Sequence, residues 1–337
     1  MSQENVEGEP DPPYTCPMKP VRRGLLLAVG ALALLALPAT AGAAFPGANG
    51  RIAYVEPELS TYDIYTVLPD GSGTERLTND GVNLDPSWSA NGYRLTYLHG
   101  SYYGPNQVFT IGAHGRNKVQ VTDEKGRLRS PHFSPSGGRI VYARWFDNSW
   151  IFTIRSDGTD RRRVVTGDYL DSPSYSPNGR RIAFVGEPNG RRSGIWTIEA
   201  DGSHLHRLTR ADGDKNFDLF PEWAPDGRHV LFVRCDVGAS DRTCEGDLKL
   251  IRLDGSHRRT ITSFFGHFSP PIFSPTGDRV ALVHIEASLD DYFCADIYTI
   301  RLGGSDQGPI TDYCEQFHND GTRDFAGQPS WQPIPTR

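Results

Sequence analysis

The 337-residue chain predicts an all-β fold, a six-bladed propeller built from four-stranded antiparallel blades. Three observations predict it. No long segment carries a helical apolar period, while Gly and Pro are abundant (36 and 25 residues). A phrase of one anchor and three strands recurs six times. One copy of that phrase is divided between the two ends, which implies that the ends meet and that the terminal strands share a blade.

Residues 1–43 precede the repeats. Lys19, Arg22 and Arg23 stand before an apolar run from Leu25 to Leu37, followed by Pro38 and the small residues Ala39-Thr40-Ala41-Gly42-Ala43. A basic stretch, a short apolar core and an A-x-A site define a secretory signal peptide. The run is short for a membrane span, so no transmembrane span is expected after cleavage. Met18 is a candidate true start, and the Arg22-Arg23 pair leaves both general and twin-arginine export open. The expected location is secreted, periplasmic or cell-envelope. Residues 44–337 then form a single domain.

The anchor reads Pro131-His132-Phe133-Ser134-Pro135-Ser136-Gly137, Pro173-Ser174-Tyr175-Ser176-Pro177-Asn178-Gly179 and Pro221-Glu222-Trp223-Ala224-Pro225-Asp226-Gly227. It recurs at Pro86-Ser87-Trp88, Pro271-Ile272-Phe273 and Pro329-Ser330-Trp331, spaced 42 to 58 residues apart. A first strand follows each anchor, as in Ile140-Val141-Tyr142-Ala143 and Ile182-Ala183-Phe184-Val185. The last anchor lacks this continuation; it stands near the N-terminus as Ile52-Ala53-Tyr54-Val55. A second strand follows, exemplified by Ile64-Tyr65-Thr66-Val67 and Ile195-Trp196-Thr197-Ile198. The density of β-branched and aromatic residues suits a buried pleated surface. Asp70-Gly71, Asp157-Gly158, Asp201-Gly202 and Asp254-Gly255 supply residues that tolerate the positive φ of tight turns. Each unit ends on a Thr: Thr78, Thr122, Thr166, Thr209, Thr262 and Thr311.

These residues resemble the TolB-like propeller repeat, a relative of the WD repeat, with its pattern L-T…P-x-W-S-P-D-G-x-x-I-A-F…I-Y…D-G. The resemblance covers about residues 49–335. It implies a secreted propeller that serves as a binding scaffold. TolB carries an α/β domain before its propeller, and this chain leaves no room for one ahead of Ile52, so binding of the Pal lipoprotein is not carried over.

Cys235, Cys244, Cys294 and Cys314 follow the leader. An even number in an exported chain implies two disulfides. Of three pairings, 235–244 and 294–314 are favoured, because each pair flanks a strand hairpin. The loops before the anchors and between the middle strands lengthen late in the chain, and long loops concentrate function. They carry Asp290, Asp291, Tyr292, Phe293, Tyr313, Phe317 and His318, an acidic and aromatic set suited to a glycan, a cationic peptide or a protein partner.

The residues just before each anchor proline are expected to line the mouth of the central channel: Asp85, Arg129, Asp171, Asp218, His267 and Asp324. Converging polar groups there would form a ligand site. No cofactor is expected. Asp212-Gly213-Asp214 leaves calcium open, although the twelfth-position Glu of a calcium loop is absent. The formal net charge of −6 and the absence of a basic stripe argue against nucleic acid. No G-x-S-x-G elbow or phosphate loop is present. The leading reading is a monomeric, non-enzymatic binding module for an envelope or extracellular protein or glycan. The alternative is a hydrolase or lyase with a metal or acid–base site at the channel mouth.

Overall fold

A computed structural model describes residues 47–58, 61–101, 104–211, 216–237, 244–266, 270–287, 293–303, 308–311 and 327–334. The expected leader, the Asp212–Asp214 stretch and Cys314 lie outside the described residues. All regular structure among the described residues is strand, and no helix there is long and apolar enough to cross a membrane.

The first unit holds β1 (Ala48–Glu58), β2 (Thr61–Val67) and β3 (Glu75–Arg76). The second holds β4 (Asn83–Trp88), β5 (Arg94–Gly100), β6 (Asn106–Gly112) and β7 (Val119–Gln120). Next come β8 (Arg127–Phe133), β9 (Arg139–Trp145), β10 (Ser149–Arg155) and the 14-residue β11 (Arg162–Tyr175). β12 (Arg181–Pro188), β13 (Gly194–Glu199) and β14 (His206–Arg207) follow. β15 (Asn216–Trp223), β16 (His229–Val237), β17 (Cys244–Arg252) and β18 (Arg259–Gly266) form another unit. The last strands are β19 (Ile272–Phe273), β20 (Arg279–Ala287), β21 (Phe293–Arg301), β22 (Gly308–Pro309) and β23 (Gly327–Ile334).

Every pairing between these strands is antiparallel, and one isolated parallel bridge joins Tyr62 and Val82. Four sheets have four strands, with orders β4-β5-β6-β7, β15-β16-β17-β18, β19-β20-β21-β22 and β23-β1-β2-β3. The division of the sixth anchor is therefore physical: β23 enters the sheet beside β1, with Ile52 opposite Trp331 and Ala53 opposite Ser330. The remaining sheet has seven strands because β11 serves two units. Its first part pairs with β10 up to Gly167, and from Gly167 onward it pairs with β12. Gly167 stands at this handover because a Cβ would lie 2.3 Å from the Glu187 carbonyl oxygen, inside any tolerable contact.

The repeated residues have repeated jobs. The anchor aromatics Trp88, Phe133, Tyr175, Trp223, Phe273 and Trp331 are all buried. In four of the six, the anchor serine closes the turn behind: Ser89, Ser134, Ser176 and Ser274 hydroxyls accept the amides of Arg94, Arg139, Arg181 and Arg279 at 2.9–3.1 Å. The terminal Thr caps the second strand. Thr78, Thr122, Thr209 and Thr311 Oγ1 each accept the amide of Ile64, Val108, Ile195 or Ile297 at 2.9 Å. In the turns, Asp70, Asp157, Asp201 and Asp254 carboxylates accept the amide two residues on, an Asx turn. Most outermost strands are only two residues long, which limits the unpaired edge exposed to other chains.

Candidate functional site

β4, β8, β15, β19 and β23 each stand at one edge of a sheet, and the second half of β11 begins its own unit. These strands border one cavity of about 50 Å³. Its wall is contributed by every anchor: Asp85 and Pro86, Ser130 to His132, Ser172, Phe220 to Glu222, Pro270 to Ile272, and Pro329 with Ser330. The anchor prolines suit this place, because an edge strand facing a cavity leaves amides unpaired and a proline has none to leave.

Direct bonds join these strands in turn. The Trp88 amide donates to Ser330 Oγ at 3.0 Å, and the Ser130 amide to Asp85 Oδ2 at 2.9 Å. Arg129 Nε donates to Asp171 Oδ2 at 2.6 Å, and Ser174 Oγ donates to the Pro221 carbonyl at 3.2 Å. β15 meets β19, and β19 meets β23.

A bulge recurs where each strand reaches the cavity, between Leu84 and Ser87, Arg129 and His132, Asp171 and Ser174, and Leu219 and Glu222. The residue before the proline takes a left-handed conformation: Asp85, Ser130, Ser172 and Phe220 have φ of 49°, 48°, 50° and 52°. Such backbone is unfavourable for a side chain as large as Phe, and it persists only where the surroundings fix it.

The bulge decides which expected channel residues reach the cavity. Asp85, directly before its proline, lines it. Arg129 and Asp171, two residues before theirs, do not line it; they pair with each other beside it, and the Arg129 guanidinium lies 5.1 Å from the Trp145 ring centroid. Asp218, three residues before Pro221, is turned into its own sheet. Its side chain is 0% exposed and bonds bidentately to Arg234, through Nε at 2.7 Å and Nη2 at 2.8 Å. His267 and Asp324 lie outside the described residues.

Two cavity groups went unrecognised in the sequence, His132 and Glu222, which follow their prolines. Burial pushes the Glu222 carboxyl up to about 8 and the His132 imidazole down to about 4. Asp85 is also raised, by burial first, against the Ser130 amide bond and the nearby Arg129 charge. With no opposite charge beside it among the described residues, Glu222 is held largely uncharged near neutral pH, as is His132; a cation next to Glu222 would favour its carboxylate form. No group of three or more His, Cys, Asp or Glu side chains among the described residues is placed to hold a metal.

A second feature lies on the face carrying the middle-strand loops and the strand-to-anchor connections. The β9–β10 tip and the β11 corner are tied together there: Trp145 Nε1 donates to the Leu170 carbonyl at 2.7 Å, and the Leu170 amide donates to Ser149 Oγ at 2.8 Å. Phe146 is 53% exposed and Tyr169 is 70% exposed. Arg144 lies 5.6 Å from the Phe146 ring centroid and 5.3 Å from that of Trp150. The equivalent loops late in the chain, bearing Asp290, Asp291, Tyr292, Tyr313, Phe317 and His318, lie outside the described residues. Phe293 falls in β21, where only its backbone is described.

Antiparallel four-stranded sheets, each presenting one edge strand to a shared cavity, define a β-propeller. The chain belongs to the TolB β-propeller domain family, which it matches over residues 39–218. It is 32% identical over 159 residues to an uncharacterized protein from Agrobacterium fabrum, covering 45% of this chain and 53% of that one. It is 26% identical over 259 residues to the Tol-Pal system protein TolB of Francisella tularensis subsp. mediasiatica, covering 75% of this chain and 55% of the relative. The chain thus spans about half the length of the curated relatives it matches. Among solved structures, TolB from Acinetobacter baumannii is similar at a TM-score of 0.67 and 17% identity, covering 84% of this chain and 67% of that one. Oligogalacturonate lyase from Vibrio parahaemolyticus is similar at a TM-score of 0.53 and 10% identity, covering 80% of this chain and 78% of that one. Both are likenesses of fold.

Proposed function

We propose that this protein is an exported, monomeric, non-enzymatic binding scaffold that recognises an envelope protein or glycan through the loop face of a six-bladed ring. Counting β11 in both of its units, and the six anchors that border the cavity, support six blades. The observation that carries the binding reading is the exposed aromatic group on the loop face. Tyr169 holds φ 54°, a costly conformation for a large side chain, while leaving most of its ring in solvent, and Phe146 is exposed as well. Exposed aromatic rings, with Arg144 lying against Phe146 and Trp150, suit a glycan or protein surface. The Tol-Pal name of the Francisella relative supports an envelope location.

Residues 1–43 serve as the signal peptide, with residues 44–337 the single folded domain. Pairing of Cys235 with Cys244 rests on the β16–β17 hairpin to which both belong. Pairing of Cys294 with Cys314 completes the set. If calcium binds, the Asp212–Asp214 stretch holds it.

Retention of a partner from envelope extract on the immobilised protein tests this reading. Phe146→Ala with Tyr169→Ala, and separately Tyr292→Ala with Phe317→Ala, are expected to lower retention of the same partner by at least about tenfold, or 1.4 kcal/mol. Retention unchanged in both double variants rules out the loop face. Cleavage of a polysaccharide by the purified protein, abolished by Asp85→Asn, would instead establish the hydrolase or lyase alternative.

A further inference from the structure

The central cavity holds a group that the surrounding frame does not use. In two other units the residue after the anchor proline bonds the neighbouring strand, through Ser174 Oγ to the Pro221 carbonyl and through Ser330 Oγ to the Trp88 amide. Glu222 occupies the same position in β15. It lines the cavity, is only 4% exposed, and its Oε1 has no hydrogen-bond partner among the described residues. A buried carboxyl with an unfilled acceptor is costly, and such groups in native proteins call for a ligand or ion that fills them.

The surroundings restrict what that ligand is. Phe220, Pro221, Pro270, Pro271 and Ile272 give the wall beside Glu222 an apolar character, and no lysine or arginine among the described residues lines the cavity. The other titratable lining groups among the described residues are Asp85, whose Oδ2 already accepts the Ser130 amide, and His132. A carboxyl in want of a donor selects a cation or a donor group. A metal ion would find too few ligands, since no set of three is placed for one among the described residues. A primary alkylammonium satisfies both halves of the site, giving N–H donors to the carboxylate and methylenes to the proline and isoleucine walls.

We propose that the central cavity is a binding site for a primary alkylammonium group, with Glu222 as its counter-ion. A lysine side chain of a partner and a free small amine carry the same group. The site is separate from the loop face and does not depend on it.

Titration calorimetry with butylammonium chloride in phosphate buffer tests the proposal. One saturable site per chain is expected, with Kd of about 1 mM or tighter, and Glu222→Gln is expected to weaken it at least tenfold. Glu222→Gln keeps the side-chain shape, and an unchanged or raised unfolding midpoint shows that the variant is folded. Nα-acetyl-lysine methylamide is the second probe. Its binding alongside butylammonium identifies a side-chain ligand, whereas binding of butylammonium alone identifies a free amine. No saturable binding of either probe, or equal affinity in Glu222→Gln, overturns the proposal. Amine binding that survives the loop-face substitutions while partner retention is lost separates the two sites.

Discussion

Replacing Glu222 by Gln should change the pH dependence of stability in a specific way. The carboxyl ordinarily titrates at 4.5 and is pushed up to about 8 by burial. In the unfolded chain it ionises as the pH passes about 4.5, while the folded protein keeps it protonated until about 8. The folded state therefore loses stability across that window, and the loss levels off above it. At about 1.4 kcal/mol per pH unit, the full penalty approaches 5 kcal/mol. Local relaxation and water entry would bring it to about 3 kcal/mol. Glutamine has the same shape and never ionises. Urea unfolding of both proteins in amine-free buffer at pH 4.5 and pH 9 measures the effect. Taking the difference between the two proteins at each pH cancels every other titrating group. The advantage of Glu222→Gln should grow by about 3–5 kcal/mol between the two pH values. A difference that does not change with pH would refute the placement of this carboxyl in a dry site.

His132 behaves with the opposite sign. Its imidazole falls from 6.5 to about 4 through burial, so the stability held above pH 6.5 is lost as the pH drops through that interval. At about 1.4 kcal/mol per unit the loss is about 3.5 kcal/mol, and His132→Gln should flatten the acid limb of a urea-stability profile by up to that amount. Asp218→Ala leaves the Arg234 guanidinium, only 13% exposed, without its bidentate partner and should cost about 3–5 kcal/mol. Asp218→Asn keeps one acceptor and should cost roughly half as much; a loss below about 1 kcal/mol for Asp218→Ala would show that the pair is not buried as described.

The repeating parts of this protein were legible in its sequence because each has a local physical cause. The anchor aromatic, the turn Asp-Gly and the terminal Thr each do one job wherever they occur, so the period announces the sheets. The divided sixth anchor likewise announced the pairing of Ile52 with Trp331. The cavity was read less well. Counting back from the proline treated Asp85, Arg129, Asp171 and Asp218 as equivalent, but they stand one, two, two and three residues before it. The left-handed residue and the bulge make each of those steps point differently, and nothing in the sequence marks a bulge at a non-glycine residue. The better signal was the position after the proline. It reads Ser87, His132, Ser174, Glu222, Ile272 and Ser330, and the two titratable residues in an otherwise neutral set were visible there. The interval between Thr166 and Pro173, expected to be a short loop, is instead continuous strand in β11, because Gly167 lets one strand change partners without a turn.

The most direct test of the central claim, that the repeats close into a ring through the divided unit, is urea unfolding of a chain ending at residue 326. Without β23, the β1 edge loses its partner, Trp331 no longer fills its pocket or donates to the Gly50 carbonyl, and Trp88 loses its bond to Ser330. Burial of a tryptophan alone is worth about 3–5 kcal/mol, so a closed ring predicts loss of the single cooperative transition or a drop in stability larger than that. A truncated chain that unfolds at the same urea concentration, with the same steepness as the full chain, would contradict closure.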